Sequence, residues 1–283
     1  MHPTPEDAGT VEQMRTAHRL ACTALGVRLA PDAQEAWGWR GRTLSQPVTA
    51  TDCPAWLRLA CSPSGQIAHT FWDGSLDAEK AIPTTIPRPR LREHHDWSEP
   101  AWEYRAELYD RITVQPIAQS ALLKSTPGLP PDWWAALRTA LGTIATVPTH
   151  RHTTEQQYLD WAMPTFLGAT LDTSVSTWTT AHGDLHWANL CAPRLQILDW
   201  EGWGLAPIGY DAAMLHSYSL LVPDVAARVH TELADSLQTP TGRFAELVTI
   251  AELLHNAAQG NDIGATASLR QRAAHVLLHS TSR

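Results

Sequence analysis

The order of apolar and polar positions divides the chain into two textures. Over residues 9–26, Val11, Met14, Leu20, Ala21 and Leu25 recur near helical spacing and predict a helix. From there to about residue 110 the apolar runs are short. Trp37–Arg40, Thr43–Ala50 and Ala55–Cys61 carry β-forming residues, punctuated by Gly41 and Asp52-Cys53-Pro54, and predict strands. Gly65 marks another turn, and Leu76–Ile82 predicts a short helix closed by Pro83. Pro87 and Pro89 keep the chain extended, and Arg90–His95 and Trp102–Ile112 predict further strands.

The rest of the chain is mostly helical. Pro131-Asp132 opens a helix through about Val147, with Trp134, Leu137, Leu141 and Ile144 on one face. Residues 153–167, 208–220, 225–237, 244–258 and 265–278 predict five more helices. Between the first and second of these, Ala181–Trp203 breaks the pattern. Within it, Asn189–Cys191 and Leu195–Leu198 are short apolar runs that predict a hairpin turning at Ala192-Pro193-Arg194. The expected fold class is α+β in two lobes: a small β-rich N-terminal lobe over residues 1–110 and a larger, mainly helical C-terminal lobe over residues 111–283.

Composition narrows the functions open to such a chain. A hydrophobic fraction of 43% over 283 residues supports a proper core. No apolar run approaches the ~18 to 20 residues that span a bilayer, so no membrane partner is expected. Met1–Thr10 carries Pro, Glu and Asp where a secretory leader needs a basic start and an apolar stretch, which predicts a cytoplasmic protein. The formal net charge of -8 argues against nucleic acid, whose phosphates are held by clustered Lys and Arg. Cys22, Cys53, Cys61 and Cys191 form no CxxC pair and read as reduced thiols.

The chemistry concentrates in the non-helical stretch. His182-Gly183-Asp184-Leu185-His186-Trp187-Ala188-Asn189 is H-G-D-x-x-x-x-N, and Leu198-Asp199-Trp200-Glu201 follows ten residues after the Asn. An Asp, an Asn five residues on, and a second Asp at a strand end is the layout of phosphoryl transfer. One carboxylate, Asp184, must face the acceptor hydroxyl. A neutral and an anionic oxygen ligand, Asn189 and Asp199, must reach the metal ions that bridge the phosphates. Each fixed position matches by chance about one time in twenty, so four together arise by accident in well under about one chain in a hundred.

His182-Gly-Asp-Leu-His-x-x-Asn189 and Leu198-Asp-Trp-Glu201, followed by Gly204-x-Ala-Pro-x-Gly-Tyr-Asp211, resemble the aminoglycoside phosphotransferase and choline kinase family. The resemblance implies a two-lobed, protein-kinase-like fold and an ATP-dependent phosphotransferase acting on an alcohol group. The γ-phosphate of ATP (or GTP) would pass, with Mg²⁺, to a hydroxyl of a small-molecule acceptor such as an aminoglycoside-like antibiotic or another metabolite. It implies Asp184 as catalytic base and Asn189 and Asp199 as metal ligands. His186 would contact the transferring phosphate or position the loop. Asp211 would cap the following helix and tie the loop down. A peptide Ser or Thr is an alternative acceptor.

The N-terminal lobe departs from the pattern. No GxGxxG is present, and the bulkier Gly38-Trp39-Arg40-Gly41-Arg42-Thr43 stands where a phosphate-covering loop belongs. The strand Ala55-Trp56-Leu57-Arg58-Leu59 carries Arg58 where such kinases place a Lys. Glu79, on the expected helix, is the candidate partner of Arg58. The backbone around Leu108, in Glu107–Arg111, would meet a nucleotide base, and no side chain there selects ATP over GTP. These departures support a second reading, a kinase-fold pseudoenzyme with a binding or regulatory role. Trp187, Trp200 and Trp203 cluster around the motif, and Trp203 is a candidate to line an acceptor pocket. The histidine pairs His94-His95 and His150/His152 lack acidic or thiol partners at zinc spacing and read as structural.

Overall fold

The computed structural model describes residues 3–31, 33–168, 171–261 and 264–280. The chain divides into two compact units. One contains the chain up to Glu79 together with Arg88–Thr113; the other contains Lys80–Pro87 and the chain from Val114 onward.

The first unit is an antiparallel sheet with a helix on one face. Helix α1 (Ala8–Ala24) starts at Asp7, whose carboxylate accepts the Thr10 N–H at 2.7 Å. Strands β1 (Val27–Leu29), β2 (Ala36–Trp37), β3 (Thr43–Ala50) and β4 (Cys53–Pro63) follow. Helices α2 (His69–Trp72) and α3 (Gly74–Ala81) then lead to β5 (Leu91–Glu99) and β6 (Trp102–Asp110). The sheet order is β1-β3-β4-β6-β5, with β2 also on β3. Period-two alternation selects the buried face. Ala55, Leu57 and Leu59 of β4 and Tyr104, Ala106 and Leu108 of β6 point toward Met14, Ala17 and Ala21 of α1. Each large apolar side chain buried there contributes roughly 1.5–3 kcal/mol.

Two sequence expectations change here. The expected strand Trp37–Arg40 stops at Trp37, and Trp39–Gly41 forms a 3₁₀ turn with Arg40 at φ 52°. The strand expected to end at His95 runs on to Glu99, because its pairing with β6 continues to Trp102.

The second unit is helical around α9. It contains β7 (Gln115–Pro116), α4 (Pro131–Ile144), α5 (Gln156–Leu167), β8 (Trp178–Ala181), β9 (Cys191–Ala192) and β10 (Gly204–Pro207). After these come α6 (Tyr210–Ser217), α7 (Pro223–Glu232), α8 (Ala234–Leu237), α9 (Pro240–Ala258) and α10 (Thr266–Ser280). Pro240 at the first turn and the Thr239 hydroxyl, which accepts the Gly242 N–H at 2.9 Å, start α9. Val248, Ile250, Ala251 and Leu254 bury its middle among α5, α6 and α10. The expected helix 225–237 is two helices, α7 and α8, that break at Leu233. The non-helical stretch is framed by β8 and β10, which pair antiparallel from Ala181–Gly204 to Trp178–Pro207. The expected hairpin forms as a single bridge, Leu190 to Ile197, while β9 pairs with β7.

Candidate active site

Strand β8 delivers the chain into the loop at His182. The buried Asp211 carboxylate, in the first turn of α6, accepts the His182 N–H at 2.7 Å and the Gly183 N–H at 3.0 Å. Gly209, not Asp211, is the N-cap of that helix. Asp211 therefore ties the loop down but does not cap. Burial pushes its carboxyl above the usual carboxylate range, and the two N–H groups work against that shift. Gly183 sits at φ 89°, and a Cβ there would lie 2.6 Å from the Gly202 carbonyl oxygen. Only glycine satisfies both constraints.

His182 is a fixed bolt. Its Nε2 lies 2.8 Å from the Leu198 carbonyl oxygen, and the Asp184 N–H donates to its Nδ1 at 3.3 Å. An acceptor at Nδ1 and a donor at Nε2 describe one neutral tautomer. Burial pushes the His182 imidazole below its ordinary pKa, in agreement.

Asp184, His186 and Asn189 converge. The Asn189 Nδ2 donates to the Asp184 backbone oxygen at 2.9 Å and to its Oδ2 at 3.2 Å. Its Oδ1 makes no hydrogen bond among the described residues. The His186 Nε2 lies 3.4 Å from Asp184 Oδ2. Desolvation opposes the charge of Asp184, but His186 and Asn189 outweigh it and hold the carboxyl below the usual carboxylate range. Burial likewise opposes the His186 cation, and Asp184 and Asp199 outweigh that and raise its pKa. The two face each other closely, and their titrations are coupled.

Asp199 is exposed and sits at φ 62°, a left-handed conformation that Asp tolerates better than most residues. Its neighbours are anchored. The Leu198 N–H donates to the Asn189 carbonyl at 2.8 Å, and the Trp200 Nε1 donates to the Ile197 carbonyl at 2.9 Å. Further along, Arg151 donates to the carbonyls of Glu201 at 3.0 Å and Trp203 at 3.1 Å. Among the described residues no three His, Cys, Asp or Glu side chains gather as a metal cage. Mg²⁺ does not need one, since it keeps waters and substrate phosphates and takes one or two carboxylates. The donor set Asp199 with the uncommitted Asn189 Oδ1 fits that pattern.

The expected N-terminal contacts fall differently. Arg58 of β4 does not pair with Glu79. It lies directly opposite Glu107 of β6, with Nη1 3.1 Å from Oε2. Glu79 accepts instead from Arg88 at 2.7 Å, from Arg90, and from the Leu91 N–H at 3.1 Å. The pairing differs because register brings residue 107 beside 58, while the segment Arg88–Arg90 that leads into β5 passes α3. Leu108 points into the core and its strand has partners on both sides. Backbone outside the ladder begins beyond Asp110.

Trp187, Trp200 and Trp203 are all buried, Trp203 to 1% exposure, so they are core residues and not pocket walls. The sequence reading missed two features on the same unit. Tyr210 donates its phenol proton to Glu252 Oε2 at 2.5 Å. Beside it, Tyr158, Trp161, Phe166 and His255 form an aromatic cluster. The signal for the first was an acid inside the apolar run Ile250-Ala251-Glu252-Leu253-Leu254.

With this geometry in place, the comparisons give the class. The model of the APH phosphotransferase enzyme family matches residues 79–247. The chain belongs to that family, and its class is the phosphotransferases. Its fold is also that of solved kinases. A thermostable mutant of aminoglycoside phosphotransferase APH(4)-Ia, in a ternary complex with ADP and hygromycin B, aligns with TM-score 0.62 at 14% identity over 95% of this chain and 99% of that one. A microcompartment-associated aminopropanol kinase aligns with TM-score 0.54 at 13% identity over 95% and 99%. An ethanolamine kinase of Plasmodium vivax aligns with TM-score 0.54 at 9% identity over 96% and 89%. No curated protein matches the chain.

Proposed function

We propose that this protein transfers the γ-phosphate of a nucleoside triphosphate to a hydroxyl of a small-molecule acceptor, with Asp184 as the base. The observation that carries the reading is the convergence of Asp184, His186 and Asn189 on a loop fastened by Asp211. Asp184 is half-exposed and is held ionised by His186, so it is ready to orient a hydroxyl and take its proton as the new P–O bond forms. Its low basicity suits phosphoryl transfer, whose loose transition state asks for little deprotonation in advance. His186, whose pKa Asp184 and Asp199 raise, is placed to meet the negative oxygens of the transferring group. Asn189 Oδ1 and Asp199 would hold Mg²⁺, which when bound supplies charge neutralisation across the phosphates. The N-terminal unit would take the nucleotide, with Arg58 in the place of the usual lysine and Glu107 in the place expected for Glu79. Backbone beyond Asp110 would meet the base, in the role expected of Leu108.

The test is a coupled ADP-release assay with a panel of amino alcohols, sugars and aminoglycosides, paired with calorimetric Mg-ATP affinity. Asp184→Asn should lower turnover by about 10² or more and leave nucleotide affinity nearly unchanged. Turnover indifferent to that substitution would remove Asp184 from its role.

A further inference from the structure

Asp211, in the first turn of α6, fastens the loop at His182 and Gly183; the far end of that helix meets the loop again. Tyr218 closes α6 and Ser219 follows it, and the two lie against His186 and Trp187. The Trp187 Nε1 donates to the Ser219 hydroxyl at 3.0 Å, and that hydroxyl donates in turn to the Leu215 carbonyl at 2.7 Å. Trp134 of α4 meets the same indole edge-on at 6.3 Å between centroids. Trp187 and Ser219 are fully buried, so the chain at 187 is held from two sides. These contacts fix the backbone beside His186 and leave the rotation of its side chain open.

Hydrogen bonds do not settle that rotation. The His186 Nε2 is 3.4 Å from Asp184 Oδ2 and 3.3 Å from Asn189 Nδ2, and both contacts are longer than a well-formed hydrogen bond. Its Nδ1 is buried and has no hydrogen-bond partner among the described residues. The firm contact is with a ring. Tyr218 stands against the imidazole at 5.4 Å between centroids, with the two planes at 80°. That separation and that angle belong to a favourable edge-to-face pair. Tyr218 is itself buried, and its N–H donates to the Met214 carbonyl at 3.1 Å, so the ring rides on a fixed backbone. Its hydroxyl makes no hydrogen bond among the described residues, which leaves the ring as the part that touches His186.

We propose that Tyr218 is a positioning residue for phosphoryl transfer: its ring, and not its hydroxyl, sets the His186 imidazole with Nε2 toward Asp184. This rests on the reading of Asp184 and His186 as groups that meet the reacting atoms. The χ2 torsion of an imidazole is broad, so two long polar contacts leave the ring plane loosely held. A second ring packed across that plane narrows the range. A group that works by orientation loses rate when it drifts, and a misplacement of about 1 Å can cost about 10²-fold. The loss falls on turnover. Nucleotide binding does not depend on the plane of this ring.

The experiment is a double-mutant cycle on ADP release from Mg-ATP, run on the full chain with the best acceptor of the panel. Tyr218→Phe keeps the ring and should hold kcat within about twofold of wild type. Tyr218→Leu should lower kcat about tenfold and leave KM for Mg-ATP unchanged. In a His186→Ala background, Tyr218→Leu should cost almost nothing further, because the residue it acts through is gone. A tyrosine needed only for packing would cost the same factor in both backgrounds. Tyr218→Met is a second ringless variant with an adaptable side chain, and thermal midpoints show which variants fold. NMR on labelled histidine reads the contact without any acceptor. The His186 ring protons should show NOEs to the Tyr218 ring in wild type and lose their ring-current shift in Tyr218→Leu. If kcat ignores the ringless variants, or falls equally with and without His186, Tyr218 does not position His186 and the kinase reading stands. If wild type turns over no acceptor, the kinase reading falls and the role in turnover falls with it, while a surviving NOE shows that Tyr218 still holds the ring. A wild type without that NOE overturns the ring contact itself.

Discussion

Arg58 and Glu107 face each other across the β4–β6 ladder, 3.1 Å apart, and Tyr109 donates to the same Glu107 oxygen at 2.9 Å. The carboxylate is buried to 1% exposure, so its charge depends on neighbours and not on water. Arg58→Ala should then cost on the order of 3 kcal/mol in urea unfolding, the penalty of a buried charge that has lost a partner. Arg58→Ala with Glu107→Gln should recover part of that loss, which a double-mutant cycle reads directly. Arg58→Lys keeps the charge and should retain more nucleotide affinity than Arg58→Ala by calorimetry. Unfolding that is indifferent to Arg58→Ala would mean the pair does not stabilise the sheet.

A second prediction concerns the loop anchor. The Asp211 carboxylate accepts two buried backbone N–H groups, at His182 and Gly183. In Asp211→Asn one of the two acceptors becomes an NH₂ donor facing an N–H. The loss should be about 1.5–3 kcal/mol of stability, the value of a hydrogen bond to a charged group. Turnover should fall along with it because Asp184 follows directly in the chain, and Mg-ATP affinity should change less than turnover. A variant with wild-type turnover would show that the loop holds its shape without the anchor.

What could be read from the sequence, and what could not, follows from the range of each interaction. His182 to Asn189 was legible because the chemistry fixes residue types within one short loop. The partner of Arg58 was not, since it is chosen by strand register across 49 residues, while Glu79 found two arginines in the nearer segment that leads into β5. Tryptophan identity says nothing of burial. Trp203 proved to be core, and Trp161, unremarkable in sequence, is half exposed. Helix 225–237 read as continuous because Leu233 fits an apolar face, yet its backbone at φ -109° breaks α7 from α8.

Glu252 gives the molecule a pH dependence of defined sign. Burial pushes its pKa from 4.5 up to about 7, with Asp184 adding to the shift and Tyr210 opposing it. A raised folded pKa means the native state holds the proton more tightly than the unfolded chain does. That contribution to stability is complete below about 4.5 and is lost as pH rises to about 7, after which it is flat. Glu252→Gln cannot titrate. The stability difference between wild type and Glu252→Gln should therefore move against wild type between those two pH values and level off above the second. Parallel curves by chemical denaturation would show that Glu252 does not carry a raised pKa.

The metal assignment is tested at Asp199. The residue holds φ 62°, and its neighbours Leu198 and Trp200 are tied by hydrogen bonds at 2.8 Å and 2.9 Å. Asn tolerates this backbone nearly as well as Asp. Asp199→Asn should thus leave the thermal midpoint close to wild type while removing the anionic oxygen that Mg²⁺ requires. Asp199→Ala should remove the same oxygen and add strain of roughly 1–2 kcal/mol, so its midpoint should fall while its Mg²⁺ response matches that of Asp199→Asn. The readout is nucleotide affinity by calorimetry with and without Mg²⁺. Wild type should gain affinity on adding the metal, and both variants should lose most of that gain, at least about tenfold. His186 supplies an independent check. Asp199 helps to raise its pKa, so its NMR titration should move to lower pH in Asp199→Asn. If the Mg²⁺ gain survives in both variants, Asp199 is not a ligand, whatever happens to turnover. If the gain is lost but the His186 titration stays where it was, the ligand assignment holds and the influence of Asp199 on the His186 pKa does not.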